Sequence, residues 1–198
     1  MDDPRERILA GAERCIGRYG IRKTTMEDIA SEVGISRPSV YRYFSDRDDL
    51  LIELITRHAR KARDGTHKFI SRQASLSDQI VEGLLYNVDR TLRDPVMRYI
   101  IDPEGNRLGR RMIASRAFEI LVAEFWDPFL DAAYVNNELP RDVPRSDIYL
   151  WLTSLSYLWL TSLSLMLMRG LEDGAADLNR YRSVLRRFVA PAFAASQA

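Results

Sequence analysis

The stretch "TTMEDIASEVGISRPSVYRYFSDRDDL", Thr24 to Leu50, carries two short helical patterns on either side of one glycine. Thr25 is followed three residues later by Asp28, a capping-box-like pair that starts a helix ending near Val33. Gly34 supplies a positive φ or a close backbone turn, Ser36 caps again, and Pro38 falls in the first turn of a second helix, where its ring and missing N–H are tolerated. This second helix runs from Arg37 to about Tyr43. Helix, glycine turn and helix at this spacing predict a helix-turn-helix, whose second helix is the one that enters a DNA major groove. Ile29, Ala30, Val33, Ile35, Val40 and Phe44 then face inward, with Ala30 small enough to let the helices approach and Ile35 plugging the turn.

The outward residues of the second helix are Arg37, Ser39, Tyr41, Arg42 and Tyr43, and no acid lies between Gly34 and Phe44. Arg37 and Arg42 suit bidentate bonds to a guanine edge, Ser39 suits either kind of base, and the hydroxyls of Tyr41 and Tyr43 suit phosphate oxygens. Thr25 adds a hydroxyl and the unpaired N–H groups of a helix start, Ser36 caps the reading helix, and Arg47 extends the basic edge. Taken singly, each of these residues equally suits a solvated amphipathic face. Caps, glycine, buried pattern and basic face agree on DNA.

Working outward, Ile8, Ala12, Cys15, Ile16 and Tyr19 mark one face of a first helix over Asp3 to Tyr19, in which Cys15 reads as core. Ser45 looks like the cap of a fourth helix, with Asp46, Asp48 and Asp49 in its first turn and Arg57, Arg60, Lys61 and Arg63 toward its end, an order that suits the helix dipole. Leu50, Leu51, Leu54 and Ile55 give it a buried stripe, and Gly65 is its plausible stop. Further helices are predicted near 76–92, 94–101, 110–136, 146–169 and 176–194. No segment alternates over a strand's length, so the fold class is all-α: an N-terminal three-helix helix-turn-helix domain over 1–45, a connecting helix over 46–65, and a larger helical domain over 66–198.

Composition narrows the function from the other side. A net charge of +1 excludes a strongly basic nucleic-acid coat, so any DNA contact is local. One cysteine allows no internal disulfide, and the start "MDDPRERILAGAERC" lacks the pattern of a secretory signal, which makes the cytoplasm the expected location. His58, His67 and Cys15 offer no zinc-type spacing, and neither a metal site nor a cofactor is expected. Nucleophile-elbow, zinc-protease, P-loop and dinucleotide motifs are absent, so no catalytic residue is assigned.

"YGIRKTTMEDIASEVGISRPSVYRYFSDRDDLL", Tyr19 to Leu51, resembles the DNA-binding signature of the TetR family of bacterial transcriptional repressors almost throughout. "NNELPRDV" before a long helix and "RRFVAPAF" near the end are similar to common patterns of that family. The resemblance implies an Ω-shaped helical homodimer on a palindromic operator in double-stranded DNA, released when a small-molecule effector binds the C-terminal domain. It also implies that Thr25, Tyr41 and Tyr43 contact phosphates, that Arg37, Ser39 and Arg42 form the variable base-reading face, and that Arg47 touches DNA backbone. Arg37 and Pro38 stand where many members have a small residue and Gly, so the bases read are not inherited.

One run competes with this reading. Residues Ile148 to Met168, which include "WLTSLSYLWLTSLS", hold no charge and reach membrane-spanning length. Arg145 and Asp147 precede the run, Arg169 follows it, and Tyr157 and Trp159 sit in its middle, which are poor flanks for a spanning helix. A helix covered on all sides by protein is the better reading, with a membrane-associated protein or an unrecognised enzyme as alternatives. In the resembling family this helix lines the ligand cavity and packs on its dimer mate. Leu152, Leu155, Leu163, Leu185, Phe188, Val189 and Phe193 are accordingly expected at a four-helix dimer seam. Tyr86, Phe118, Val122, Trp126, Trp151 and Tyr157 are candidates for an apolar effector pocket, although each singly also suits core packing.

Overall fold

The computed structural model describes residues 3–102, 105–139, 142–155 and 178–193. They form helices and turns, with no strand among the described residues. The chain packs as two compact units, Met1–Ala59 with Pro95–Met112, and Arg60–Asp94 with Ile113–Ala198. A division at single points along the chain, such as 45 and 65, therefore does not describe the packing: 95–112 returns to the unit that holds the N-terminus.

In the first unit, α1 (Pro4–Tyr19) starts where the Asp3 carboxylate accepts the Arg5 N–H at 3.0 Å and ends at Gly20, whose φ is +81°. Its inner face is Ile8, Leu9, Ala12, Cys15 and Ile16, each at most 7% exposed. Burial pushes the Cys15 thiol above its ordinary pKa, as suits a small core residue. Tyr19 does not belong to that face: its ring is 47% exposed and lies under the Arg18 guanidinium at 5.7 Å. Gly11 permits the close approach of α1 to α2 (Met26–Val33), since a Cβ there would collide with Val33 Cγ1.

After α3 (Arg37–Tyr41) comes α4 (Arg47–Ile70). Asp46, rather than Ser45, caps α4 by accepting the Asp49 N–H at 2.7 Å, while Asp49 accepts the Ser45 N–H at 2.9 Å. The expected stripe Leu50, Leu51, Leu54 and Ile55 is buried. Gly65 does not end the helix. An interior glycine costs about 1 kcal/mol against alanine, and burial of the next residues, Thr66 at 2% and Ile70 at 0% exposure, outweighs it.

The helix expected over 110–136 is two. α6 (Pro95–Arg98), a 3-10 turn over Tyr99–Ile101 and α7 (Asn106–Ile113) precede α8 (Arg116–Val135), and Ser115 caps α8 by accepting the Phe118 N–H at 3.3 Å. Leu108 and Met112 are core of the first unit, whereas Val122, Trp126 and Phe129 are core of the second. Helical periodicity runs smoothly through such a change of unit, so it hides the break. Within the first unit α7 reaches the acidic start of α4: Arg107 pairs with Asp48 at 2.6 Å and Arg111 with Asp46 at 2.9 Å. Although burial opposes it, the Asp49 N–H and the Arg111 guanidinium hold the Asp46 carboxyl below its usual range.

The second unit joins the C-terminal part of α4 with α5 (Leu76–Arg93), α8, a helix here called α9 that is described over 145–155, and α10 (Leu178–Phe188). Ile80, Leu84, Trp126, Leu130, Leu152 and Leu185 are central to its core. Gly83 leaves room there, since a Cβ would crowd Ile70 and the Trp126 ring at 2.9 and 3.4 Å. Arg182 holds α10 to α5 through Glu82, at 2.7 and 3.2 Å. Pro128 lies inside α8 and removes one helical N–H. One turn before it, the Phe125 carbonyl is 2.9 Å from His67 Nε2, which donates if that nitrogen carries the proton. His67 also meets Phe125 and Phe129 edge-on, at 5.0 Å each. Residues 156–168 of the charge-free run lie outside the described residues. Among the described residues no helix is long and apolar enough to cross a membrane.

Two outcomes test this packing. Gly11→Ala should lower the thermal midpoint, with a cost of about 1–3 kcal/mol for overpacking, and adding Val33→Ala should recover part of it; no loss in the single variant would refute the close approach. Burial chiefly, and the Arg63 charge, depress the His67 pKa from its ordinary 6.5. The unfolded chain then binds the extra proton, so the contribution of neutral His67 is complete above about pH 6.5 and is lost as pH falls toward the folded-state value. Thermal unfolding between pH 7.5 and 5.5 should show a decline that His67→Gln flattens.

Candidate nucleic-acid interface

The two reading helices are set by three local devices. Thr25 makes a reciprocal box: its Oγ1 accepts the Asp28 N–H at 3.1 Å while Asp28 accepts the Thr25 N–H at 2.8 Å. Gly34 stands in the left-handed region at φ +70°, so its own N–H returns to the end of α2 and the Ile35 N–H bonds the Ala30 carbonyl at 3.0 Å. Ser36 then caps α3 by accepting the Ser39 N–H at 3.3 Å. Ile29, Ala30, Val40 and Phe44 are at most 2% exposed, as the pattern predicts. Val33 and Ile35 are only half-buried, because they line a cleft between α1 and α3.

The outward residues divide into those whose polar groups point to solvent and those already occupied. Arg37 and Arg42 are exposed on and just after α3. The Arg37 guanidinium lies 5.5 Å from the Tyr41 ring centre and donates to the Tyr41 hydroxyl at 3.3 Å, which leaves that O–H free to donate to a phosphate. Tyr41 is 39% exposed. Ser39 is half-buried with its Oγ 2.8 Å from Ser36 Oγ, so one of the two hydroxyls donates to the other and the accepting one keeps its O–H free. The Thr25 hydroxyl donates to Asp28 at 2.6 Å, a bond that with the Thr25 N–H lowers the Asp28 pKa. What Thr25 offers a phosphate is therefore the start of α2 more than its hydroxyl.

Arg47 is partly engaged within the chain. Its side chain is half-buried and donates to the carbonyls of Thr24, at 3.0 Å, and Ile21. Two of its five donors thus bind the turn before α2, next to the Thr25 cap. Arg5 does comparable work and carries no local sequence signal. It donates to the Tyr43 carbonyl at 2.9 Å, pairs with Glu53 of α4, and lies 4.6 Å over the Phe44 ring. The partners are 38 and 48 residues away in sequence, which is why periodicity cannot reveal it.

The residues expected at an effector pocket are only partly brought together. Val122 and Trp126 belong to the core of the second unit and Phe118 packs against it, Tyr86 stacks on Phe69 at 4.8 Å, and Trp151 is 36% exposed. Tyr157 lies outside the described residues. Of the expected seam residues, Leu152, Leu185 and Val189 are buried by their own chain at 0–4% exposure, and Leu155 is packed against the same core. Phe188, 72% exposed, presents its ring outward. Leu163 and the Phe193 side chain lie outside what is described.

Residues 8–54 match the family model described as bacterial regulatory proteins, tetR family. An uncharacterized HTH-type transcriptional regulator of Mycobacterium tuberculosis is 38% identical over 52 residues, 26% of this chain and 28% of that one, so the chain spans little more than a quarter of that relative's length. YfiR of Bacillus subtilis is 30% identical over 130 residues, covering 63% of this chain and 62% of that one. EthR of Mycobacterium tuberculosis is 27% identical over 164 residues, covering 74% and 69%. Among solved structures, Thermus thermophilus FadR, a TetR-family transcriptional repressor in complex with lauroyl-CoA, aligns with a TM-score of 0.65 at 17% identity, covering 98% of this chain and 97% of that one. RolR in complex with resorcinol aligns at 0.61 and 15% identity, covering 98% and 93%. At these identities the structures bear on the fold, while residues 8–54 carry the signature of the tetR family of bacterial regulatory proteins.

Proposed function

We propose that this protein is a ligand-responsive transcriptional regulator that binds a palindromic operator in double-stranded DNA as a homodimer, represses from it, and leaves it when a small molecule binds the second unit. The observation that carries the reading is the exposed face of α3, where Arg37, Tyr41 and Arg42 stand on a capped helix after a left-handed glycine turn. Arg37 and Arg42 serve as base readers, Tyr41 and the start of α2 at Thr25 as phosphate contacts, and Ser36, Ser39 and Tyr43 as the flanking polar edge. Such a molecule works in the cytoplasm, where its operator is.

A small organic effector is supported by the fold neighbours, which hold lauroyl-CoA and resorcinol. Tyr86, Phe118 and Trp151, each with part of its ring uncovered, are the pocket candidates that remain accessible. Homodimerisation through the second unit is supported by Phe188, a large apolar ring left in water at the end of α10.

Selection of bound sequences from a random duplex pool should yield a palindrome with half-sites about one helical turn, ~10 bp, or a multiple apart; no enrichment at moderate salt would overturn the reading. On that site Arg42→Ala should cost about 1–3 kcal/mol and relax the preference at one position, with the thermal midpoint unchanged. Arg47→Ala should instead lower the thermal midpoint and weaken all duplexes alike, because it frees the turn that holds the Thr25 cap. Reversed behaviour of the two variants would contradict these roles.

A further inference from the structure

Most arginines of the first unit are neutralised within it. Arg5 pairs with Glu53, Arg14 and Arg18 with Glu32, Arg22 with Asp102, Arg57 with Glu6, Arg107 with Asp48 and Arg111 with Asp46. Arg47 donates to two carbonyls. Of the arginines around α3 and its cleft, Arg7, Arg37 and Arg42 have no carboxylate within ion-pair distance among the described residues. Two of these three are the proposed base readers. The third is on α1, outside the helix-turn-helix.

Arg7 is exposed, and one of its five N–H donors goes to the Val33 carbonyl, the last residue of α2, at 3.2 Å. That bond parks the guanidinium at the rim of a cleft of about 240 Å³. Arg7, Ser39, Arg42 and Tyr43 supply the polar lining, and Ile8 and Val33 are part of the apolar remainder. At ~30 Å³ per water, the space holds several waters, or one phosphodiester group with its neighbouring sugar. Two unpaired guanidiniums and two hydroxyls around a small concavity form a donor set for an anion with several oxygens. The cleft borders α3, so an anion in it lies beside whatever α3 reads.

We infer that Arg7 is a further DNA contact: with the Tyr43 hydroxyl it seats one backbone phosphate in the cleft between α1 and α3, beside the base reader Arg42, and so sets the register of the reading helix without reading a base. The inference rests on the DNA-binding reading above. It makes α1, otherwise a packing element, part of the interface. One donor anchored to Val33 keeps the guanidinium in place before DNA arrives, which lessens the ordering cost of the contact.

The test is duplex binding by fluorescence anisotropy, on the selected operator and on a scrambled duplex, from 50 to 200 mM salt, for the wild type, Arg7→Gln and Arg7→Lys, each with its thermal midpoint. Arg7→Gln should weaken both duplexes several-fold and equally, leave the selected consensus unchanged, and reduce the steepness of log K against log salt by about 0.9, the contribution of one phosphate contact. Arg7→Lys should restore the steepness. Unchanged affinity and salt slope in Arg7→Gln would overturn the inference while leaving DNA binding intact, and so would a shifted consensus, which would make Arg7 a base reader. A loss matched by a lowered midpoint and not recovered by Arg7→Lys would make it a packing residue. Wild-type protein that binds no duplex would overturn the DNA reading itself and this contact with it.

Discussion

The left-handed backbone at Gly34, φ +70°, is the constraint on which the reading head depends. It ends α2 by returning its own N–H to the helix and lets the Ile35 N–H bond the Ala30 carbonyl, so the chain turns within three residues and restarts at the Ser36 cap. An L side chain at that φ is strained, and a slower turn would carry α3 away from α2. Two tertiary devices then hold the corner. Gly11 lets α1 press on Val33 at one end, and Arg47 gathers the carbonyls of Ile21 and Thr24 at the other. Arg5 fixes the far side through Tyr43, Phe44 and Glu53.

Charge in this unit is arranged as much by neutralisation as by display. The acidic first turn of α4 suits the positive end of its helix dipole, and it also receives Arg107 and Arg111 from the segment that returns at 95–112. Exposed pairs of this kind add little stability singly, typically under about 1 kcal/mol. Their larger effect is on where positive charge is left. With those guanidiniums matched to acids, Arg7, Arg37 and Arg42 stand out around α3 and its cleft, a local basic face on a molecule whose net charge is only +1.

In the second unit the apolar helices were legible as helices, but their surroundings were not. Leu152, Leu185 and Val189 carry the spacing of an interface and are buried by their own chain. Val122 and Trp126 are aliphatic and aromatic residues of the kind that line pockets, and they lie in the core of the second unit. Period and composition report that a side chain avoids water; they do not report what covers it.

What the sequence determined by itself is therefore what short-range physics controls. The Thr25–Asp28 box, the glycine turn, the Ser36 cap and the inward set of Ile29, Ala30, Val40 and Phe44 involve residues at most a few turns apart, so the all-α class and the helix-turn-helix could be read directly. Only the tertiary structure decided that α4 continues through Gly65, that 110–136 is broken at Ser115, and that Arg47 donates to the carbonyls of Ile21 and Thr24 while Arg7 faces a cleft. Each of those outcomes turns on a partner tens of residues away or on burial that offsets a local penalty. Propensity and pattern carry no record of such partners, because they are set when distant segments pack against one another.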